Sequence, residues 1–182
     1  MKLIKPKFWD TKNFLSFILY PLSAITYLIN IIKKLSNKKK FEIKTICIGN
    51  IFVGGTGKTS LAIEINQLLR KKFKTVFIKK NYENQLDEIT LLSNTGNIIS
   101  ASSRENALLS AVNKKYQLAI LDDGLQQKNI NYDLKIACFN SEYAIGNKFM
   151  LPAGPLRENL SEVKNYDLVF LNGEKKNDKL LS

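Results

Sequence analysis

Short apolar runs alternate with stretches of helical periodicity along most of this chain. Residues 43–48 are β-branched and apolar and end at Gly49. Residues 58–70 place Leu61, Ile65, Leu68 and Leu69 at helical spacing and turn basic at Arg70, Lys71 and Lys72. Strands are expected next at 75–78 and 97–101, then a helix over 104–113 with Ala107, Leu108 and Ala111 inward. Three further strands are expected at 118–121, 134–139 and 168–171. Asp87 and Glu88, just ahead of Ile89, Leu91 and Leu92, read as acids in the first turn of a helix. Short strands separated by helices predict an α/β fold, a mostly parallel sheet with helices on both faces. The 182 residues suit one such domain with its own core. At 45% hydrophobic and 24% charged, the chain has no need of disorder.

The first 40 residues follow another pattern. Residues 13–32 carry no charge, and such a run of 20 matches the length needed to cross a bilayer. Ser16, Pro21, Ser23, Thr26 and Asn30 interrupt it, and Pro21 is expected to kink or divide a helix. Lysines flank both ends, so the charges choose no orientation. The apolar run is too long for a signal peptide, and no small-residue cleavage site follows it. One or two helices lying in a membrane interface fit best, with Phe8, Trp9, Phe14, Phe17, Tyr20 and Tyr27 at the boundary. A spanning helix and a helix packed on the soluble core are the alternatives. The run 36–40, SNKKK, reads as the linker, dividing a segment 1–40 from a domain 41–182.

Charge sharpens this division. Of the net +12, residues 1–40 hold +8. An anionic membrane or phosphorylated substrate is therefore a better partner than nucleic acid. Cys47 and Cys138 sit within apolar runs, as reduced core thiols do, and in no metal-ligand spacing. Histidine is absent, which excludes imidazole chemistry for this chain alone.

The strongest motif is 48–59, IGNIFVGGTGKT, between the first strand and the helix that follows. Glycines at 54, 55 and 57 leave backbone N–H groups free to face a phosphate chain, and the helix N-terminus adds its positive end. Val53, Gly54, Gly55, Thr56, Gly57, Lys58, Thr59 and Ser60 are the expected nucleotide-binding residues. Within them Lys58 can reach the β- and γ-phosphates, and the Thr59 hydroxyl can ligate Mg2+. The general pattern has glycine where this chain has Phe52. The segment 118–124, LAILDDG, delivers Asp122 and Asp123 to the C-terminal edge of the sheet, where a P-loop fold holds its metal. Helix capping by Asp123 is the plain structural alternative. Segment 146–158, GNKFMLPAGPLRE, reads as a rigid loop offering Arg157 as an anion clamp and Glu158 as another carboxylate.

These elements, in this order, resemble the tetraacyldisaccharide 4'-kinase family of lipid A biosynthesis. The resemblance rests on PKFW at 6–9, residues 49–59, Asp87 and Glu88 with Leu91 and Leu92, Arg104, DDGLQ at 122–126 and the loop ending at Glu158. It covers nearly the whole chain. It implies a P-loop kinase that moves the γ-phosphoryl of ATP to the 4'-hydroxyl of tetraacyldisaccharide 1-phosphate. The enzyme would sit on the cytoplasmic face of the bacterial inner membrane, held through residues 1–40. By the same resemblance Lys58, Asp87, Asp122 and Asp123 are catalytic, with Asp87 the base for the sugar hydroxyl. Thr59, Asp122, Asp123 and Glu158 would organise Mg2+, and Asn50 and Arg157 would meet the substrate. The chain departs from the family at 79–82, KKNY for Ser-Arg-Gly-Tyr, and at Gln126 and Gln127, where the family has Gln-His. It also reads as shortened after about residue 173, before the family's second lobe and that lobe's histidine.

Two other readings compete. A partitioning-type regulatory ATPase shares the glycine loop, but has a signature lysine where Val53 stands and lacks the paired aspartates. A non-catalytic membrane-bound nucleotide- or lipid-binding module, or a fragment of the kinase, would bind ATP without acceptor-dependent turnover. The sequence indicates no protein partner, and a kinase completed by a partner chain is a further alternative.

Overall fold

The computed structural model of the protein describes residues 6–81, 86–141 and 145–173. Of the flanking lysines, Lys2 and Lys5 lie outside the described residues, as does Tyr82 of the KKNY stretch. Six strands form one sheet: β1 (Lys44–Gly49), β2 (Thr75–Lys80), β3 (Ile98–Ala101), β4 (Leu118–Asp122), β5 (Leu134–Asn140) and β6 (Leu168–Asn172). Their order is β3-β2-β4-β1-β5-β6, and every neighbouring pair is parallel. All six expected strands are present.

Strand residues alternate between two apolar layers, as a sheet covered on both faces requires. On one side Ile46, Ile48, Phe77 and Ile120 pack under α2 (Lys58–Leu69) and α3 (Leu86–Ser93). On the other, Cys47, Val76, Ile78, Ala119 and Leu121 pack with Ala107, Leu108 and Ala111 of α4 (Arg104–Asn113). The inward face expected of α4 is therefore observed. In α2 one expected inward residue differs: Leu68 is 73% exposed, while Ala62 and Asn66 are buried. The helix meets the sheet closely through Ala62. Asn66 belongs there because its side chain accepts from Thr75 Oγ1 at 2.6 Å and donates to Thr95 O at 3.3 Å.

The N-terminal segment corrects one expectation. Pro21 does not divide it: α1 (Phe14–Lys34) is a single helix, capped by the Asn13 side chain accepting from Ser16 N. Proline removes one N–H, and the remaining ladder of a 21-residue helix persists around it. The polar residues that interrupt its apolar run form a stripe on one face, Ser16, Ser23 and Asn30 lying seven apart. That stripe docks on the segment 147–157. Ser23 Oγ donates to Met150 O at 2.8 Å, Thr26 Oγ1 to Leu151 O at 2.7 Å and Asn30 Nδ2 to Arg157 O at 2.8 Å. Asn147 Nδ2 donates to Ser16 Oγ, Phe8 O and Ala153 O, and Trp9 Nε1 to Pro152 O. Lys34 closes the far end on Glu162. The opposite face leaves Phe14, Phe17, Ile18, Ile25, Leu28 and Ile32 exposed. The helix is long and apolar enough to cross a membrane, yet polar towards the protein.

The run 36–40 makes bonds of its own. Lys39 bridges to Ile130 and pairs with Glu105, and Lys40 pairs with Asp133. Both cysteines are buried and unbridged, and burial pushes each thiol up to about 12. A thiol so placed is neither ionised nor accessible at neutral pH. Neither Cys47 nor Cys138 should react with a thiol reagent in the folded protein over an hour, and both should react in denaturant. Rapid native labelling, read by mass spectrometry, would show that the core placement of the labelled strand is wrong.

Candidate active site

β1 and β4 are neighbours, with Ile48 opposite Asp122. That register sets the loop leaving β1 beside the acids that end β4, at one edge of the sheet. The loop turns into α2 at Gly57, whose φ of 78° lies in the left-handed region that glycine adopts without strain. Gly57 caps α2 with no side chain, so the first N–H groups of the helix are left for an external acceptor. Nothing lies within 4 Å of where a Gly55 Cβ would be, so the loop is open there, while the Asn172 side chain lies against Gly57. Thr56 Oγ1 is buried without a hydrogen-bond partner.

Phe52 explains its own departure from the glycine pattern. It is buried, packs on Phe139 with ring centroids 5.9 Å apart, and bridges to Leu156. Val53 N donates to Pro155 O at 2.8 Å and Arg157 N to Ile51 O at 2.7 Å. The phosphate loop is thus laced to the proline-glycine loop. Asn50, expected to meet substrate, is fully buried: its Nδ2 donates to Gly54 O at 3.2 Å, and its carbonyl accepts from Gln126 Nε2 at 2.7 Å.

The two aspartates occupy different surroundings. Asp122 is buried. Its Oδ2 accepts from Thr59 Oγ1 at 3.1 Å and from Lys79 Nζ at 2.9 Å, and its Oδ1 has no partner. Asp123 stands at φ 57°, a left-handed conformation that aspartate tolerates better than most residues. It turns towards the basic groups: Arg157 Nη1 lies 3.0 Å from Oδ1 and Lys58 Nζ 3.7 Å from the same oxygen. Arg104 holds the turn from beneath, donating through Nη2 to Asp123 O at 2.6 Å. Lys58, Thr59, Asp122, Asp123 and Arg157 therefore converge, and Ser60 follows on the exposed first turn of α2.

Two expected residues sit apart from that cluster. Glu158 is buried, and its Oε2 accepts from Lys128 Nζ at 2.6 Å and Tyr166 OH at 2.8 Å, not from the Thr59–Asp122 pair. Asp87 lies exposed in the first turn of α3, and Glu88 beside it pairs with Lys79. Lys79 is the residue that sequence reasoning passed over: at the end of an apolar strand it looks like an ordinary surface lysine. Burial works against its charge, but Asp122 and then Glu88 outweigh burial and hold its ammonium above the usual range.

The residues fit a nucleotide with Mg2+. Among the described residues no group of three or more His, Cys, Asp or Glu side chains gathers as a metal cluster. That suits Mg2+, which takes one or two carboxylates and completes its shell with phosphate and water. Thr59 and the free Oδ1 of Asp122 are suitable oxygens, and the uncapped helix end is a suitable phosphate seat.

A parallel sheet with a glycine loop at its edge, an uncapped helix behind the loop and an acid on the neighbouring strand defines a P-loop nucleotide-binding fold. The chain matches the LpxK family, Tetraacyldisaccharide-1-P 4'-kinase, over residues 15–97 and 79–182, and it belongs to that family. It is 52% identical to the tetraacyldisaccharide 4'-kinase of Pelagibacter ubique over 95% of this chain and 56% of that protein. Against the Rickettsia typhi enzyme it is 33% identical over 94% of this chain and 59% of that one. A crystal structure of LpxK from Aquifex aeolicus in complex with ATP matches with a TM-score of 0.75 and 26% identity, over 87% of this chain and 59% of that one. The chain thus spans somewhat over half the length of the relatives it matches.

Burial alone would raise the Asp123 carboxyl, but Lys58, Arg157 and Arg104 outweigh it and hold the group below its ordinary 3.8. A depressed folded-state value stabilises the fold above 3.8, and that contribution disappears as pH falls through the folded-state value. Asp123→Asn should be less stable than the wild type in urea at about pH 7, with the gap closing as the pH is taken below 3.8. A gap unchanged by acid would show that the carboxylate carries no such linkage.

Proposed function

We propose that this chain is a lipid kinase that transfers the γ-phosphoryl of ATP to the 4'-hydroxyl of tetraacyldisaccharide 1-phosphate. The observation that carries this reading is the pairing of Thr59 with Asp122 below an open glycine loop, with Asp122 Oδ1 still free. Membership of the family supports it.

Backbone N–H groups of residues 54–60 and the N-terminus of α2 would hold the phosphates, with Val53 tying the loop to Pro155, and Lys58 would neutralise the β- and γ-oxygens. Mg2+, once bound, would neutralise charge on the phosphate oxygens, with Thr59, Asp122 and Asp123 as its protein side and Glu158 bracing the adjoining loop. Asp87 would take the proton from the 4'-hydroxyl as its oxygen bonds to the γ-phosphorus and the bond to the leaving ADP breaks. Arg157 would steady the transferring group, and Asn50 would keep the loop in shape from within. Positioning and charge neutralisation supply most of the acceleration in such reactions.

The exposed apolar face of α1 supports a membrane role. It would lie in the cytoplasmic leaflet of the inner membrane, lysines at the headgroups, while its polar stripe stays docked on the 147–157 loop. A lipid substrate remains in the bilayer, so the loop carrying Arg157 would lie next to it.

Transfer of labelled γ-phosphate to tetraacyldisaccharide 1-phosphate in detergent with Mg2+ tests the reading. The wild-type chain should yield bisphosphorylated product, and Lys58→Ala should lower turnover by about a hundredfold or more. Asp87→Ala should stop transfer and leave ATP affinity unchanged. ATP binding without any product from the wild type would assign the chain nucleotide binding alone, and turnover surviving in Lys58→Ala would remove the phosphate-loop assignment.

A further inference from the structure

Among the described residues Lys79 is the only buried lysine, at 2% exposure. It is the penultimate residue of β2, one beyond the last β2 residue paired with β4, and its ammonium lies between two carboxylates on different elements, Asp122 of β4 and Glu88 of α3. Asp122 Oδ2 takes hydrogen bonds from both Lys79 Nζ and Thr59 Oγ1. A cation is therefore already built in beside the two side chains best suited to receive Mg2+. A full ammonium in a buried site repels a second cation bound to the same carboxylate, and this repulsion is strong where water is excluded. Removing the ammonium would leave Asp122 as a buried charge with one hydroxyl donor, a costly state unless another cation replaces it.

We propose that Lys79 is an internal counter-ion of the cation site, which holds Asp122 in place without metal and keeps affinity for free divalent ions low. Mg2+ then enters with the nucleotide, whose phosphates supply the attraction that Asp122, already paired, does not. The same ammonium ties α3, and with it Asp87, to the phosphate site through Glu88. The proposal rests on the reading of Asp122 as the metal-side carboxylate and is independent of the acceptor.

Mn2+ binding to the nucleotide-free full chain, measured by electron paramagnetic resonance, tests it with Lys79→Gln and Lys79→Met. Both variants should bind Mn2+ at least about tenfold tighter than the wild type. Adding Asp122→Asn to either should abolish the gain. Both single variants should melt lower than the wild type in EDTA and recover in MgCl2, as ligand linkage requires. Equal Mn2+ affinity in wild type and variants, with only a lowered melting temperature, would make Lys79 a structural residue and overturn the proposal. If neither variant folds, the wild type still decides. MgCl2 alone should leave its melting temperature at the EDTA value, while MgCl2 with a non-hydrolysable ATP analogue should raise it. A rise with MgCl2 alone, equal to that with the analogue, would overturn the proposal. Failure of the analogue to bind would instead count against the nucleotide reading itself.

Discussion

Ile48 and Asp122 face each other in adjacent parallel strands, and the chemistry of the chain depends on that register. Parallel strands end on the same edge, so the glycine loop leaving β1 and the acids ending β4 arrive together. A slip of one residue would send Asp122 to the opposite face, away from the Thr59 hydroxyl. The register is secured by burial on both faces. Cys47 and Leu121 fill one layer while Ile48 and Ile120 fill the other, and neither set can exchange layers without breaking the core.

The segment 146–158 joins three parts that the sheet alone would leave separate. Its backbone pairs with the phosphate loop through Val53 and Ile51, its Arg157 reaches Asp123, and its carbonyls receive the polar stripe of α1. The helix turns its polar side to the protein and its apolar side outward, the reverse of a helix on a water-soluble surface. That inversion is the expected arrangement of an element that meets lipid on one side and unpaired loop carbonyls on the other.

Charge in the site is arranged in two tiers. Asp123, partly open, balances Lys58 and Arg157, while buried Asp122 balances Lys79. The adjacent aspartates avoid direct repulsion because the left-handed turn at Asp123 sends their carboxylates to different cations.

Periodicity and composition were enough to place all six strands, the helices over 58–70 and 104–113, the acids in the first turn of α3 and the phosphate loop, because each depends on local spacing and glycine content. The same local pattern misjudged Leu68, whose outward direction depends on how closely Ala62 lets α2 approach the sheet. It also treated Ser16, Ser23, Thr26 and Asn30 as interruptions of an apolar run. They form a docking face, and nothing within the run could reveal the partners more than a hundred residues away: loop carbonyls for Ser23, Thr26 and Asn30, and the Asn147 amide for Ser16. Lys79 was passed over for the same reason: its carboxylate partners lie on other elements. The sequence by itself determined which elements form and which residue types they carry to the sheet edge. The tertiary structure alone decided which charge neutralises which, because a buried ion pair is set by the distance between strands and not by their order along the chain.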